Sequence, residues 1–239
     1  MTLLTRATNQ EPIDEENGMK SLNRRVITGI LSLLLLTTLT VMAEENIADS
    51  PEQTRPLQAG DRAPDFTVYN VDGSPFQFQA NKLERPTLII TFRGGWCPYC
   101  NTQLQELRNV LPEIKKSGVD ILFLSGDRPE ILYSNLKQET QDSINGLDYT
   151  ILSDADTDAG KAFGLAFRVP DETINKYMQR DWDLADSSLV KHKVLSIPAV
   201  YVIRINGEIA FAHTEPDYRI RLPAQDVKAA TEKVLLESR

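Results

Sequence analysis

The sequence predicts an α/β protein, a three-layer α/β/α sandwich with an N-terminal β-hairpin and a helical insertion. Three observations carry this. Strand-like and helix-like segments alternate, which builds a sheet with helices packed on it. Two strand-like runs are continuously apolar and need cover on both faces. The chain closes with a β-hairpin and an amphipathic helix.

The regular pattern starts at Asp61. "DFTVYN" and "PFQFQA" alternate in polarity on either side of Val71-Asp72-Gly73-Ser74, an Asp-Gly turn that predicts the first hairpin. "TLIITF" (87–92) is apolar and β-branched throughout, as expected of a central strand. Beyond it, Leu104, Leu107, Leu111 and Ile114 recur at helical spacing and end near Gly118. "VDILFLS" (119–125) predicts a second buried strand, and residues 129–139 a polar helix after it. "YTILSD" reads as a short strand and "DAGKAFGL" as a short helix. Residues 170–193 are polar and helix-compatible, with Trp182 among charges, and read as the insertion lying over the domain. "AVYVIRINGEIAFAH" is a hairpin around Asn206-Gly207. The last helix, 224–236, should bury Val227, Ala230, Val234 and Leu235.

The 239 residues divide into an N-terminal extension with a signal peptide over 1–43, a linker or ordered tail over 44–60, and the domain over 61–238. Lys20, Arg24 and Arg25 precede an apolar run from Val26 to Val41, and Val41-Met42-Ala43 forms a cleavage site before Glu44. Asp14, Glu15 and Glu16 suit such a leader poorly, so Met19 reads as the start. The apolar run is shorter than the roughly 20 residues that span a bilayer. The expectation is a periplasmic or secreted protein, with membrane attachment only through an uncleaved signal. The net charge of −8 carries no basic block, which argues against nucleic acid as a partner.

"FRGGWCPYCN" holds the chain's two cysteines, Cys97 and Cys100. Pro98 suits a first helical turn, because its missing N–H would have had no partner there. Cys97 then falls at the N-cap, where free amides favour an anion and should lower its pKa. Cys100 lies one turn on, close enough to condense with an oxidised Cys97. Trp96 would shield one side of the sulfur, and Arg93 would add positive charge. A zinc site would need more ligands than His192 and His213 supply. A structural disulfide over so short a loop would restrict the unfolded chain little. Pro198, just before the strand at Ala199, stands where a cis peptide or a simple loop-ending proline would serve.

"WCPYC" after a strand, with "SIPAVYVI" far downstream, resembles the thioredoxin fold, in which a cis-proline faces the redox pair. "FRGGWCPYCNTQLQEL", "AFGLAFRVPDE" and "EPDYRIRLPAQDV", in this order, resemble the peroxiredoxin-like branch of the AhpC/TSA (redoxin) family. The resemblance implies that Cys97 attacks a hydroperoxide, that Cys100 resolves the sulfenic acid to a disulfide, and that a thioredoxin-type dithiol reductant restores both thiols. It implies no cofactor and no metal. It also exposes departures. Gly94 and Ile90 stand where such proteins carry a Thr or Ser and a Pro, and Pro198 stands where they carry an Arg. Arg93 or Arg168 would have to substitute. The departures suit exchange with a protein disulfide, Pro198 presenting the partner's sulfur. A redox-inactive binding module on the same scaffold is the third reading.

Overall fold

The computed structural model describes residues 46–147 and 149–237. The signal-peptide reading of residues 1–43 therefore lies outside the described residues. Among the described residues no helix is long and apolar enough to cross a membrane.

Seven strands form one mixed sheet in the order β2-β1-β5-β4-β3-β8-β9. The hairpin β1 (Phe66–Tyr69) and β2 (Pro75–Phe78) lies at one edge, and β8 (Ala199–Ile203) with β9 (Ile209–Thr214) at the other. Between them run β5 (Thr150–Ser153), β4 (Asp120–Ser125) and β3 (Thr87–Phe92), mutually parallel. Every residue of β3 is buried, so neighbouring side chains enter opposite layers. Leu88, Ile90 and Phe92 pack with Leu104, Leu107, Val227 and Val234. Ile89 joins Phe66, Leu152, Phe163 and Tyr201 on the other face. Each such burial contributes about 1.5–3 kcal/mol, enough to hold the strand against solvent from both sides.

The helix after the cysteines is two helices, α1 (Pro98–Leu107) and α2 (Leu111–Lys116). Pro112 explains the break: inside a continuous helix its ring would clash with the preceding turn and its missing N–H would leave a carbonyl unpaired. The helix expected at 129–139 is also displaced. Pro129–Ile131 make a single 3₁₀ turn, irregular chain buries Leu132 and Leu136, and α3 spans Gln138–Ile144. After α4 (Asp158–Ala162), the expected insertion contributes α5 (Asp171–Met178) and α6 (Ser188–His192), flanked by a two-stranded sheet of β6 (Ala166–Arg168) and β7 (Val194–Ser196). The closing helix α7 (Ala224–Glu237) buries Val227, Thr231 and Val234. Residues 46–60 run along the domain: the Ala48 and Leu57 amides donate to the carbonyls of Ala166 and Phe163.

The three parallel strands end at one edge of the sheet, the edge at which sites of open α/β sheets are generally built, and the loops that follow them converge into it. The loop after β3 carries the cysteines into it, and the loop after β4 enters beside them.

Candidate active site

Cys97 is the N-cap of α1 with an extended backbone (φ −82°, ψ 117°), and Pro98 opens the helix. The amides of Cys100 and Asn101 both donate to the Cys97 carbonyl at 3.1 Å. Ahead of the cap the chain makes a tight bend. Gly94 has φ +151°, and a Cβ there would lie 2.7 Å from Asp127 Oδ1; at Gly95 it would lie 2.5 Å from the Asn135 backbone. The threonine or serine expected at position 94 in peroxiredoxins therefore has no room.

Asp127, fully buried at the end of β4, accepts the Gly95 amide at 2.6 Å and the Asn135 side chain at 3.0 Å. Burial outweighs these donors and pushes its pKa up to about 7. Asn101 ties the same bend from below, donating to the carbonyls of Gly95 (2.6 Å) and Cys97 (3.0 Å).

Both cysteines are free thiols, with Cys97 1% and Cys100 0% exposed. The neighbouring Cys100 sulfur, and after it burial, raise the Cys97 pKa. Burial opposes ionisation of Cys100 too. There the Cys97 thiol, the Arg221 guanidinium and the Arg93 backbone N–H outweigh it and bring the pKa well below the ordinary thiol range. The expectation of a lowered pKa at Cys97 is thus corrected. The N-cap makes no side-chain hydrogen bond with the helix, Pro98 removes one amide, and the guanidinium that meets a sulfur directly, Arg221, reaches Cys100. Arg221 Nη2 lies 3.4 Å from Cys100 Sγ.

Arg93 is buried in an aromatic enclosure. Its guanidinium lies 4.3 Å from the Tyr218 ring centre, 5.2 Å from Trp96 and 5.5 Å from Tyr177, and Nη2 donates to the Tyr177 hydroxyl. Trp96 also packs against Tyr177 and Trp182, with ring centres 5.5 and 5.2 Å away. These last two rings come from α5 and the segment after it, so the insertion helps to roof the Trp96 side of the site.

Of the two readings of Pro198, the cis peptide is the one that does not hold; among the described residues every peptide is trans. Thr91 holds the segment instead, donating to the Ile197 carbonyl and accepting the Ala199 amide around a buried Pro198. Arg168 is exposed on β6. Sequence reasoning missed Arg221, Tyr177 and Asp127; the first belongs to the quoted segment "EPDYRIRLPAQDV", which was the available signal. Among the described residues no cluster of His, Cys, Asp or Glu is placed to hold a metal.

Comparison with known proteins agrees with this geometry. The chain is 34% identical over 110 residues to Peroxiredoxin Bcp of Escherichia coli K12, covering 46% of this chain and 66% of that protein, just under two thirds of its length. It is 23% identical over 198 residues to the thiol-disulfide oxidoreductase ResA of Oceanobacillus iheyensis, covering 82% of this chain and 84% of ResA. Among solved structures, a mutant of the peroxiredoxin 6 of Arenicola marina superposes with TM-score 0.58 at 16% identity, over 77% of this chain and 76% of that one. The 2-Cys peroxiredoxin of Plasmodium vivax gives 0.55 at 15%, over 77% and 84%. At these identities the structural likeness establishes the fold, a peroxiredoxin-type thioredoxin fold. A family model matches residues 59–212, and with it the chain belongs to the AhpC/TSA family.

Proposed function

We propose that this chain is an oxidoreductase, an exported, thiol-dependent hydroperoxide reductase in which Cys97 and Cys100 are the redox pair. The observation that carries the reading is the placement of two buried free thiols at the N-cap and first turn of α1, with the Arg221 guanidinium 3.4 Å from the inner sulfur. As Cys97 attacks the terminal oxygen of a hydroperoxide, its proton passes to the Cys100 thiolate. The S–O bond forms, the O–O bond breaks, and the departing alkoxide takes that proton as the alcohol. The Cys100 thiolate then attacks the Cys97 sulfenic acid, forming the disulfide and releasing hydroxide, which water buffers. A thioredoxin-type dithiol donor restores both thiols through a mixed disulfide on Cys97. Arg93 and Trp96 shape the approach to the pair, and no cofactor takes part.

One observation favours a second reading, exchange with protein disulfides. Gly94 and Pro198 occupy the places where a peroxide-binding hydroxyl and guanidinium would stand, and Gly94 has no room for a larger residue. A single comparison decides between them: consumption of hydrogen peroxide against reduction of a protein disulfide, with the same mature protein and a thioredoxin-type reductant. Fast peroxide consumption that Cys97→Ser abolishes is the expected result. Efficient disulfide exchange without peroxide consumption would transfer the assignment to the second reading. A Cys97→Ser protein with full activity in both assays would refute the choice of nucleophile.

A further inference from the structure

Arg221 comes from the loop between β9 and α7, far from the cysteines in sequence, yet its guanidinium reaches the inner sulfur. Its position is fixed by backbone. Nη1 donates to the carbonyls of Tyr218 and Ile220, leaving the opposite edge, Nε–H and Nη2–H, turned inward. Nη2 meets Cys100 Sγ, and Nε is buried without a hydrogen-bond partner. An arginine held this way would ordinarily be neutralised by a carboxylate. The carboxylate nearest along the chain, Asp217, is occupied: Arg219 takes it through Nε and Nη2. Asp217 therefore acts on Arg221 only through space, and the group that Nη2 meets directly is the Cys100 sulfur.

We propose that Arg221 sets the redox poise of the pair by holding Cys100 as a thiolate, which makes Cys100 the leaving group when the disulfide is reduced. The inference rests on Cys97 and Cys100 being a redox pair. When a donor thiolate attacks Cys97 of the disulfide, the Cys97–Cys100 bond breaks and its electron pair goes to Cys100 Sγ. A cation in place lowers the energy of that developing charge, and a thiol of lower pKa leaves faster. The same contact stabilises the reduced form and has no anion to meet in the disulfide. It therefore raises the reduction potential and makes the pair a better oxidant. Three ionisable groups act on Cys100: Cys97 from the N-cap, Arg221 from the β9–α7 loop, and Asp127 from the loop after β4, whose own ionisation is disfavoured by charge on Cys100; Arg93 contributes its backbone N–H there, and its guanidinium charge acts on Cys97.

The test uses the full chain with Arg221→Gln, which keeps amide donors for the Tyr218 and Ile220 carbonyls but removes the charge, and Arg221→Lys, which keeps the charge. Thiolate absorbance near the far ultraviolet is titrated, the equilibrium with glutathione is measured, and the disulfide is reduced by dithiothreitol. In Arg221→Gln the low thiolate step moves up, the equilibrium shifts toward disulfide and reduction slows, each by about tenfold or more, the equivalent of one pKa unit; Arg221→Lys recovers most of each. An unchanged titration and equilibrium in Arg221→Gln would overturn the role of Arg221. If Arg221→Gln fails to fold, the cysteine variants decide. The low step should survive in Cys97→Ser and vanish in Cys100→Ser, and the reverse pattern overturns the proposal. A wild-type chain that never forms the disulfide with oxidised glutathione overturns the redox-pair reading itself, a result separable from any difference between variants.

Discussion

The Asn101 side-chain nitrogen lies 2.6 Å from the Gly95 carbonyl and 3.0 Å from that of Cys97, while its oxygen accepts the Lys137 amide at 2.9 Å. One buried amide thus joins the bend before the cysteines, the helix cap and the entry to α3. Replacing it by alanine leaves the Gly95 carbonyl and the Lys137 amide without these partners, and each orphaned group costs about 1–3 kcal/mol. Asn101→Ala is expected to lower the urea midpoint by an amount matching at least 2 kcal/mol or so. A midpoint unchanged from wild type would mean that water or a backbone shift replaces the amide.

The Trp96, Tyr177 and Trp182 rings are mutually packed, and the cysteines beside Trp96 are closed to solvent. Chemistry at Cys97 therefore needs this region to open. Each aromatic pair contributes about 0.5–1.5 kcal/mol beyond its area, so removing two rings populates the open form about tenfold more. The double variant Tyr177→Ala, Trp182→Ala should alkylate with iodoacetamide about tenfold faster than wild type. Equal rates would show that access to Cys97 does not pass through these rings.

Much of this architecture is legible in the residues, because its signals are local. The continuous apolar run 87–92 needs cover on both faces wherever it folds, and Asn206-Gly207 specifies a turn that two apolar runs then follow. Cys-Pro-x-Cys places the sulfurs at a helix start for reasons of proline geometry alone. The electrostatics are not local. Arg221 lies in a loop with no periodicity, 121 residues from the sulfur it meets, and no spacing rule reports such a contact. The thiolate is therefore expected at the helix cap, whereas the inner cysteine holds the cation. The helix expected at 129–139 fails for a related reason: Leu132 and Leu136 are apolar at helical spacing, but they are buried by irregular chain that turns to meet Asn101.

Two buried carboxyls give stability a pH dependence. Burial raises the pKa of Asp127 and of Asp154 from the ordinary carboxylate range to about 7. Each favours the folded state in its protonated form, so its contribution is full below the unfolded pKa and is lost as pH rises through about 7. Each contribution is on the order of 2–4 kcal/mol. Cys100 acts with the opposite sign, its lowered pKa favouring folding as pH rises from about 6 toward 9. Comparing wild type with Asp154→Asn isolates one group from the rest. The stability difference between the two should change by more than 1 kcal/mol or so between pH 5 and pH 8, in favour of wild type at pH 5. Parallel pH profiles would show that Asp154 ionises as it does in the unfolded chain.

Gly95 and Gly60 separate two costs that a glycine can hide. At Gly60 a Cβ would meet nothing within 4 Å, but φ is +98°, so alanine there costs backbone strain alone, about 1 kcal/mol. At Gly95 a Cβ would lie 2.5 Å from the Asn135 carbonyl carbon and 2.7 Å from the Leu136 nitrogen, both backbone atoms that cannot swing aside. Relief requires the 135–136 segment to move, and that segment carries the Asn135 amide bound to Asp127. Overpacking of this kind costs typically about 1–3 kcal/mol, and here it also loosens the carboxylate that holds the cysteine bend. Gly95→Ala should therefore melt lower than Gly60→Ala and shift the thiolate titration, whereas Gly60→Ala leaves the titration in place. Equal melting temperatures with an unshifted titration would mean that the bend before Cys97 tolerates a side chain, and that its two glycines are not what brings Asp127 against the loop.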